Sequence, residues 1–196
     1  IVEWLTYYSQ KNGNLGFVVG ISGGIDSAVT SYLCALTGIP TILVNLPIRQ
    51  SDAEYVRAVK HINNLKVKFN HVSSIEINLS ELFEKIEHTF PIEIVQNQLA
   101  MANTRSRLRM TSLYAIAQAN NCLVVGTGNK IEDFGVGFYT KYGDGGVDIS
   151  PIADLMKTDV QNLGELLQVI DDIRQAKPTD GLWGDARSDE DQLGAT

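Results

Sequence analysis

The sequence predicts an α/β protein with a doubly wound, mostly parallel sheet and helices on both faces. Three observations predict it. Short apolar runs alternate along the chain with longer amphipathic stretches, as in repeated βαβ units. Residues 15–21, Leu-Gly-Phe-Val-Val-Gly-Ile, form a near-continuous apolar run of the kind found in strands buried on both faces. No repeat, low-complexity tract or Pro/Ser-rich linker divides the chain, so one domain is expected.

Taken in order, residues 1–12 place Ile1, Leu5 and Tyr8 on one helical face, and residues 15–21 follow as the first strand. A Gly23-Gly24 turn leads into a helix over 26–37, closed by Gly38 and followed by Pro40. A second strand is expected at 41–46. Ser51-Asp52-Ala53-Glu54 is a capping-box pattern opening a helix that runs to residue 65, with a third strand within 67–72. Residues 79–90 and 104–120 carry apolar residues at helical spacing, and 122–126 is another short buried strand. The glycine-rich stretch 127–150 reads as a long ordered loop, and such loops in compact domains are usually functional. A helix over 158–170 precedes a polar tail.

The chain has 196 residues, 44% hydrophobic and 20% charged, enough to bury a core without disulfides or a structural metal. Its 16 Lys+Arg against 23 Asp+Glu give a net charge of -7, which argues against coating nucleic acid or an anionic membrane through bulk charge, though not against local basic clusters. Cys34 and Cys122 sit among apolar residues and read as buried thiols of a reducing cytoplasm. No apolar stretch approaches a membrane span and no charged-then-apolar leader opens the chain, so a cytoplasmic protein is expected. His61, His71 and His88 show no metal-binding spacing and read as surface residues.

Ligands of doubly wound sheets bind at the carboxyl ends of the strands, here the segments after Ile21, Leu46 and Gly126. Gly20-Ile21-Ser22-Gly23-Gly24-Ile25-Asp26-Ser27 leaves a strand and opens a helix. Its glycines let backbone N–H groups approach a ligand, the helix amino terminus favours an anion, and Ser22 and Ser27 add hydroxyl donors. A plain capped turn needs only one such residue. Neither a Walker A loop nor Gly-x-Gly-x-x-Gly is present. Gly20-Ile21-Ser22-Gly23-Gly24 does fit the Gly-x-Ser-x-Gly nucleophile elbow of hydrolases. A triad is nevertheless disfavoured, because all three histidines lie in the first half of the chain and the segment before Ser22 is too short for an oxyanion loop.

Ser22-Gly23-Gly24-Ile25-Asp26-Ser27 after a buried strand resembles the pyrophosphate loop of the ATP pyrophosphatase superfamily, whose fold is adenine nucleotide alpha hydrolase-like. Three further stretches resemble ammonia-dependent NAD synthetase within it. They are Asn103-Thr104-Arg105-Ser106-Arg107-Leu108-Arg109-Met110; Gly126-Thr127-Gly128-Asn129-Lys130-Ile131-Glu132 with residues 138–148; and residues 151–157 with 177–183 and 188–194. From the residues alone, arginines two apart on a helix diverge by about 200°, so Arg105, Arg107 and Arg109 do not share one solvated face.

The resemblance implies that Gly20, Ile21, Ser22, Gly23, Gly24, Ile25, Asp26, Ser27, Thr127, Lys157 and Thr179 bind ATP, and that Arg107, Lys141 and Asp148 bind deamido-NAD. It places magnesium on Asp26 and Glu132, with Asp133 the alternative because the 132-to-141 spacing is one residue longer than in some relatives. Asp26, Lys157 and Ser22 would carry catalysis by positioning and charge stabilisation, without a covalent nucleophile. The implied reaction is amidation of deamido-NAD by ammonia through an acyl-adenylate, in a homodimer. Relatives continue past the position of Thr196, so a single domain lacking its carboxyl-terminal segment is expected. Another ATP pyrophosphatase, such as GMP synthetase or a tRNA-thiolating enzyme, and a non-catalytic nucleotide-binding module are the alternatives.

Overall fold

Phe17, Val18 and Val19 are buried without exception in succession, which requires a strand covered on both faces. They belong to β1 (Gly16–Gly20), one of two inner strands of a parallel sheet that also contains β2 (Thr41–Asn45), β3 (Val72–Glu76) and β4 (Cys122–Val125). The structure, a computed structural model, describes residues 1–176. The strand order is β3-β2-β1-β4. The chain therefore winds outward from β1 in both directions, and the loops leaving β1 and β4 part at the topological switch point.

Because strand side chains alternate, Phe17 and Val19 enter one core and Val18 the other. The first core is covered by α1 (Val2–Asn12), α2 (Ile25–Leu36), α3 (Asp52–Lys68), α7 (Lys157–Leu166) and α8 (Asp171–Arg174), through Leu5, Val29, Leu65, Val160 and Ile173. The second is covered by α4 (Ser80–Thr89) and α6 (Gln98–Asn120), through Phe83, Met110 and Leu113. A further short helix, α5 (Ile92–Val95), precedes α6. Each such buried side chain stabilises the fold by roughly 1.5–3 kcal/mol. A Cβ at Gly164 would lie 2.6 Å from Ile25 Cδ1, so the glycine lets α7 lie close against α2. No helix among the described residues is long and apolar enough to cross a membrane.

Several sequence expectations are corrected. The third strand is at Val72–Glu76, not within 67–72, because α3 continues to Lys68 and leaves Val67 outside the core. The alternation Val67-Lys68-Phe69 imitates a strand, but the Ser51–Glu54 capping box starts α3 firmly, and Lys66 and Lys68 suit its carboxyl end. Helix α6 starts at Gln98 rather than near 104, with Asn97 Oδ1 accepting from the Ala100 N–H. The expected helix over 158–170 ends earlier, at Leu166, because Gln168 takes a positive φ of 56°, and the short α8 follows from Asp171. The long loop contains one π-helical turn, Ile131–Val136.

His61 is not a surface residue. It is 2% exposed, its Nε2 lies 2.9 Å from Ser31 Oγ, and it joins α3 to α2. Burial, assisted by Lys68, pulls its pKa down to about 4. Cys34 is buried as expected, whereas Cys122 is only partly so.

Candidate functional site

A cleft of about 880 Å³ opens at the carboxyl ends of β1 and β4. Ser22, Gly24, Asp26 and Ser27 line one side, and Thr127, Glu132 and Lys157 another. Gly20, Ile21 and Ile25 also line it, whereas Gly23 does not.

Two serines close the loop on itself. Ser22 Oγ lies 3.1 Å from Ser27 Oγ and accepts from the Gly24 N–H, while Ser27 Oγ donates to Gly24 O. Gly23 takes φ +87°, and a Cβ there would lie 2.5 Å from Glu54 O of α3. No L side chain fits that conformation in that space.

Asp26 stands in the first turn of α2, where an acidic group is favoured. Its Oδ2 accepts from Lys157 Nζ at 2.6 Å and its Oδ1 from Asn129 Nδ2 at 3.0 Å. The same ammonium donates to Glu132 Oε1 at 2.9 Å. Burial disfavours the charge on Lys157, but Asp26 and Glu132 outweigh it and raise its pKa, so the ammonium stays charged throughout the physiological range.

Asp133 is held differently. Burial first, then Glu132, Asp144 and Asp26, push its carboxyl up to about 6. It packs against Gly128, where a Cβ would collide with it. Asp26 and Glu132 converge on one cation already, which fits two carboxylates sharing a hard divalent ion whose remaining positions go to phosphate and water. The described residues contain no cluster of three His, Cys, Asp or Glu that could hold a metal by themselves.

Arg107, Lys141 and Asp148 do not line the cleft. Arg107 Nε donates to Lys141 O at 3.0 Å, which brings the first two together. Asp148 accepts from the Val124 N–H at 2.8 Å and from the Tyr114 hydroxyl at 3.0 Å. Burial and this carboxylate push the tyrosine pKa up to about 12. The three arginines do diverge: Arg105 lies over the Phe83 ring, Arg107 reaches Lys141, and Arg109 Nε donates to Leu46 O. Thr179 and the motif residues from Lys177 onward lie outside the described residues.

The sequence model of NAD synthase matches residues 1–196. The chain belongs to the NAD synthase family. It is 38% identical over 199 residues to the NH(3)-dependent NAD(+) synthetase of Mesoplasma florum, covering 100% of this chain and 78% of that protein. It is 41% identical over 207 residues to the protein of that name from Alkaliphilus metalliredigens, covering 100% and 80%. Among solved structures, NMN synthetase from Francisella tularensis is similar, with TM-score 0.90, 35% identity, and coverage of 100% of this chain and 79% of that one. The NH3-dependent NAD synthetase from Campylobacter jejuni shares the fold, with TM-score 0.78, 24% identity, and coverage of 89% and 73%. Like the rest of the NAD synthase family, the chain is an enzyme, a ligase forming a carbon–nitrogen bond.

The structure adds residues that motif reading in the NAD synthase family chain does not single out. Asn129 is completely buried, donates to Asp26, and accepts the Ile131 and Glu132 N–H groups on its Oδ1. One side chain thus orients both carboxylate-bearing segments; its signal was an Asn three residues before Glu132, a local capping pattern. Ser106 Oγ donates to Asp144 Oδ1 and accepts the Asp144 N–H, and Thr140 Oγ1 donates to Asn103. These contacts clasp the Lys141 loop to α6.

Proposed function

We propose that the chain amidates deamido-NAD with ammonia at the expense of ATP, giving NAD, AMP and pyrophosphate. The observation that carries this reading is the convergence of Asp26, Glu132 and Lys157 beside the Ser22–Ser27 loop in one cleft. The names of the relatives support the choice of reaction.

In the first step an oxygen of the nicotinate carboxylate attacks the α-phosphorus of ATP. The bond from that phosphorus to the bridging oxygen breaks, and pyrophosphate leaves with its electron pair. Backbone N–H groups and the hydroxyls of Ser22 and Ser27 meet its charge at the amino terminus of α2. Lys157 supplies a permanent positive charge, and Thr127 and Thr179 complete the ATP contacts in this reading. Magnesium, held by Asp26 and Glu132, would neutralise phosphate charge when bound. Ammonia then adds to the acyl carbonyl, AMP leaves, and the nitrogen loses a proton. No residue of the chain forms a covalent intermediate; its contribution is orientation and charge.

Arg107, Lys141 and Asp148 bind the dinucleotide on this reading, which is supported by the Arg107–Lys141 contact. They lie off the cleft wall, and a homodimer whose second subunit completes the dinucleotide site is part of this reading. Two free cysteines accord with a cytoplasmic enzyme.

The likeness to an NMN synthetase over the whole chain favours a second reading, in which nicotinate mononucleotide is the acceptor and the chemistry is unchanged. One assay separates them. Pyrophosphate release from ATP with magnesium and ammonia is measured with deamido-NAD, nicotinate mononucleotide, XMP or no acceptor. Release with deamido-NAD foremost is expected; preference for the mononucleotide supports the second reading, and preference for XMP overturns both.

A further inference from the structure

We propose that Arg57 positions the leaving pyrophosphate: its Nε fixes the Gly23 carbonyl of the loop, and its two terminal nitrogens donate to pyrophosphate oxygens. This rests on the ATP-dependent reading above.

Arg57 belongs to α3, not to the loop, and its Nε donates to Gly23 O at 3.1 Å. The neighbouring carbonyl is held as well, since Gln50 Nε2 donates to Ser22 O at 3.0 Å. In a trans peptide the N–H points opposite to the preceding C=O. Anchoring these two carbonyls therefore turns the Gly23 N–H away from Gln50 and the Gly24 N–H away from Arg57, and the Gly24 N–H meets Ser22 Oγ. Because a Cβ at Gly23 would strike Glu54 O, the loop rests directly on the α3 backbone that carries Arg57.

Charge points to the same residue. Arg57 lines the cleft with Ser22, Asp26 and Lys157. Lys157 is already paired with Asp26 and Glu132, and Arg174 with Asp171 and Glu165. Arg57 makes no ion pair among the described residues, although Asp172, whose pKa is lowered chiefly by Lys60, also feels its charge. A guanidinium has five donors in a planar fork, and the loop uses one of them. The remainder suit two phosphate oxygens at once, which a lysine ammonium cannot reproduce. Nothing in the sequence pattern marks Arg57, because it stands on a helix three residues past the capping box.

The test uses the full chain as wild type, Arg57→Gln and Arg57→Lys. Acceptor-dependent exchange of labelled pyrophosphate into ATP gives apparent constants for pyrophosphate, ATP and acceptor, and thermal midpoints report folding. Arg57→Gln is expected to raise the pyrophosphate and ATP constants about tenfold or more and the acceptor constant less than about twofold, with partial recovery in Arg57→Lys. An unchanged pyrophosphate constant, or equal rises in all three constants with a lowered midpoint, overturns the assignment. Calorimetric titration of pyrophosphate with magnesium reads the same contrast without turnover, and equal binding by wild type and Arg57→Gln overturns it too. Wild type that binds pyrophosphate through Arg57 yet shows no exchange with any acceptor refutes the amidation reading while upholding this one.

Discussion

The ammonium of Lys157 lies 2.6 Å from Asp26 Oδ2, a contact between the first turns of two helices 131 residues apart in sequence. Glu132 joins them through the same ammonium, so three segments meet at one charge. Removing a member leaves the other charges partly buried and uncompensated, so substitutions at any of the three should have large effects.

Asp26→Asn keeps the shape and removes the charge. Turnover should fall by at least about 10²-fold, the size of losing one key electrostatic group. Steady-state kinetics with a circular-dichroism check of folding measures it; a folded variant with wild-type turnover would sink the role.

Arg107→Ala should raise the apparent constant for deamido-NAD more than that for ATP. Ser106→Ala breaks the clasp on the Lys141 loop and should do the same more weakly, by about tenfold, as one lost hydrogen bond to a charged group implies. Equal effects on both substrates in the two variants would show that neither residue serves the dinucleotide.

Asn129→Ala removes the donor to Asp26 Oδ1 and the acceptor for two N–H groups. A loss of about 1–3 kcal/mol in stability together with reduced turnover is expected, measured by urea unfolding and kinetics. An unaffected midpoint would contradict the bridging role.

His61 gives a pH prediction whose sign follows from its lowered pKa. The unfolded histidine takes up a proton near 6.5 and the folded one only at about 4. Its contribution to stability is therefore complete above 6.5 and is lost as pH falls towards 4, by about 3 kcal/mol in total. Urea unfolding from pH 7 to 4 should show a flatter pH dependence for His61→Asn than for wild type. Parallel curves would be inconsistent with a buried neutral imidazole.

The strand–loop–helix around Ser22 was legible because burial on two faces and glycine at a left-handed position both leave local marks in sequence. So was the order of most elements. The end of α3 was not, since Val67-Lys68-Phe69 satisfies either period and only the packed partner decides between them. His61 was misread for the same reason: its hydroxyl partner, Ser31, is 30 residues away. In the candidate site, Asp26, Glu132 and Lys157 were singled out through resemblance and the fold brings them together, whereas Asn129 and the Ser106–Asp144 clasp depend on contacts across the fold.

Gly164 sits inside α7, two turns after Lys157, where glycine costs about 1 kcal/mol relative to alanine. Its bare backbone is what Ile25 touches. Filling that position would strengthen the helix by itself while forcing it off its neighbour, and Lys157 rides at the near end of that helix like the tip of a lever. The protein thus gives up local order at one buried point to keep an ammonium in line with a carboxylate, and a substitution chosen for thermostability there would trade away alignment some 10 Å distant, at about 1.5 Å of rise per residue.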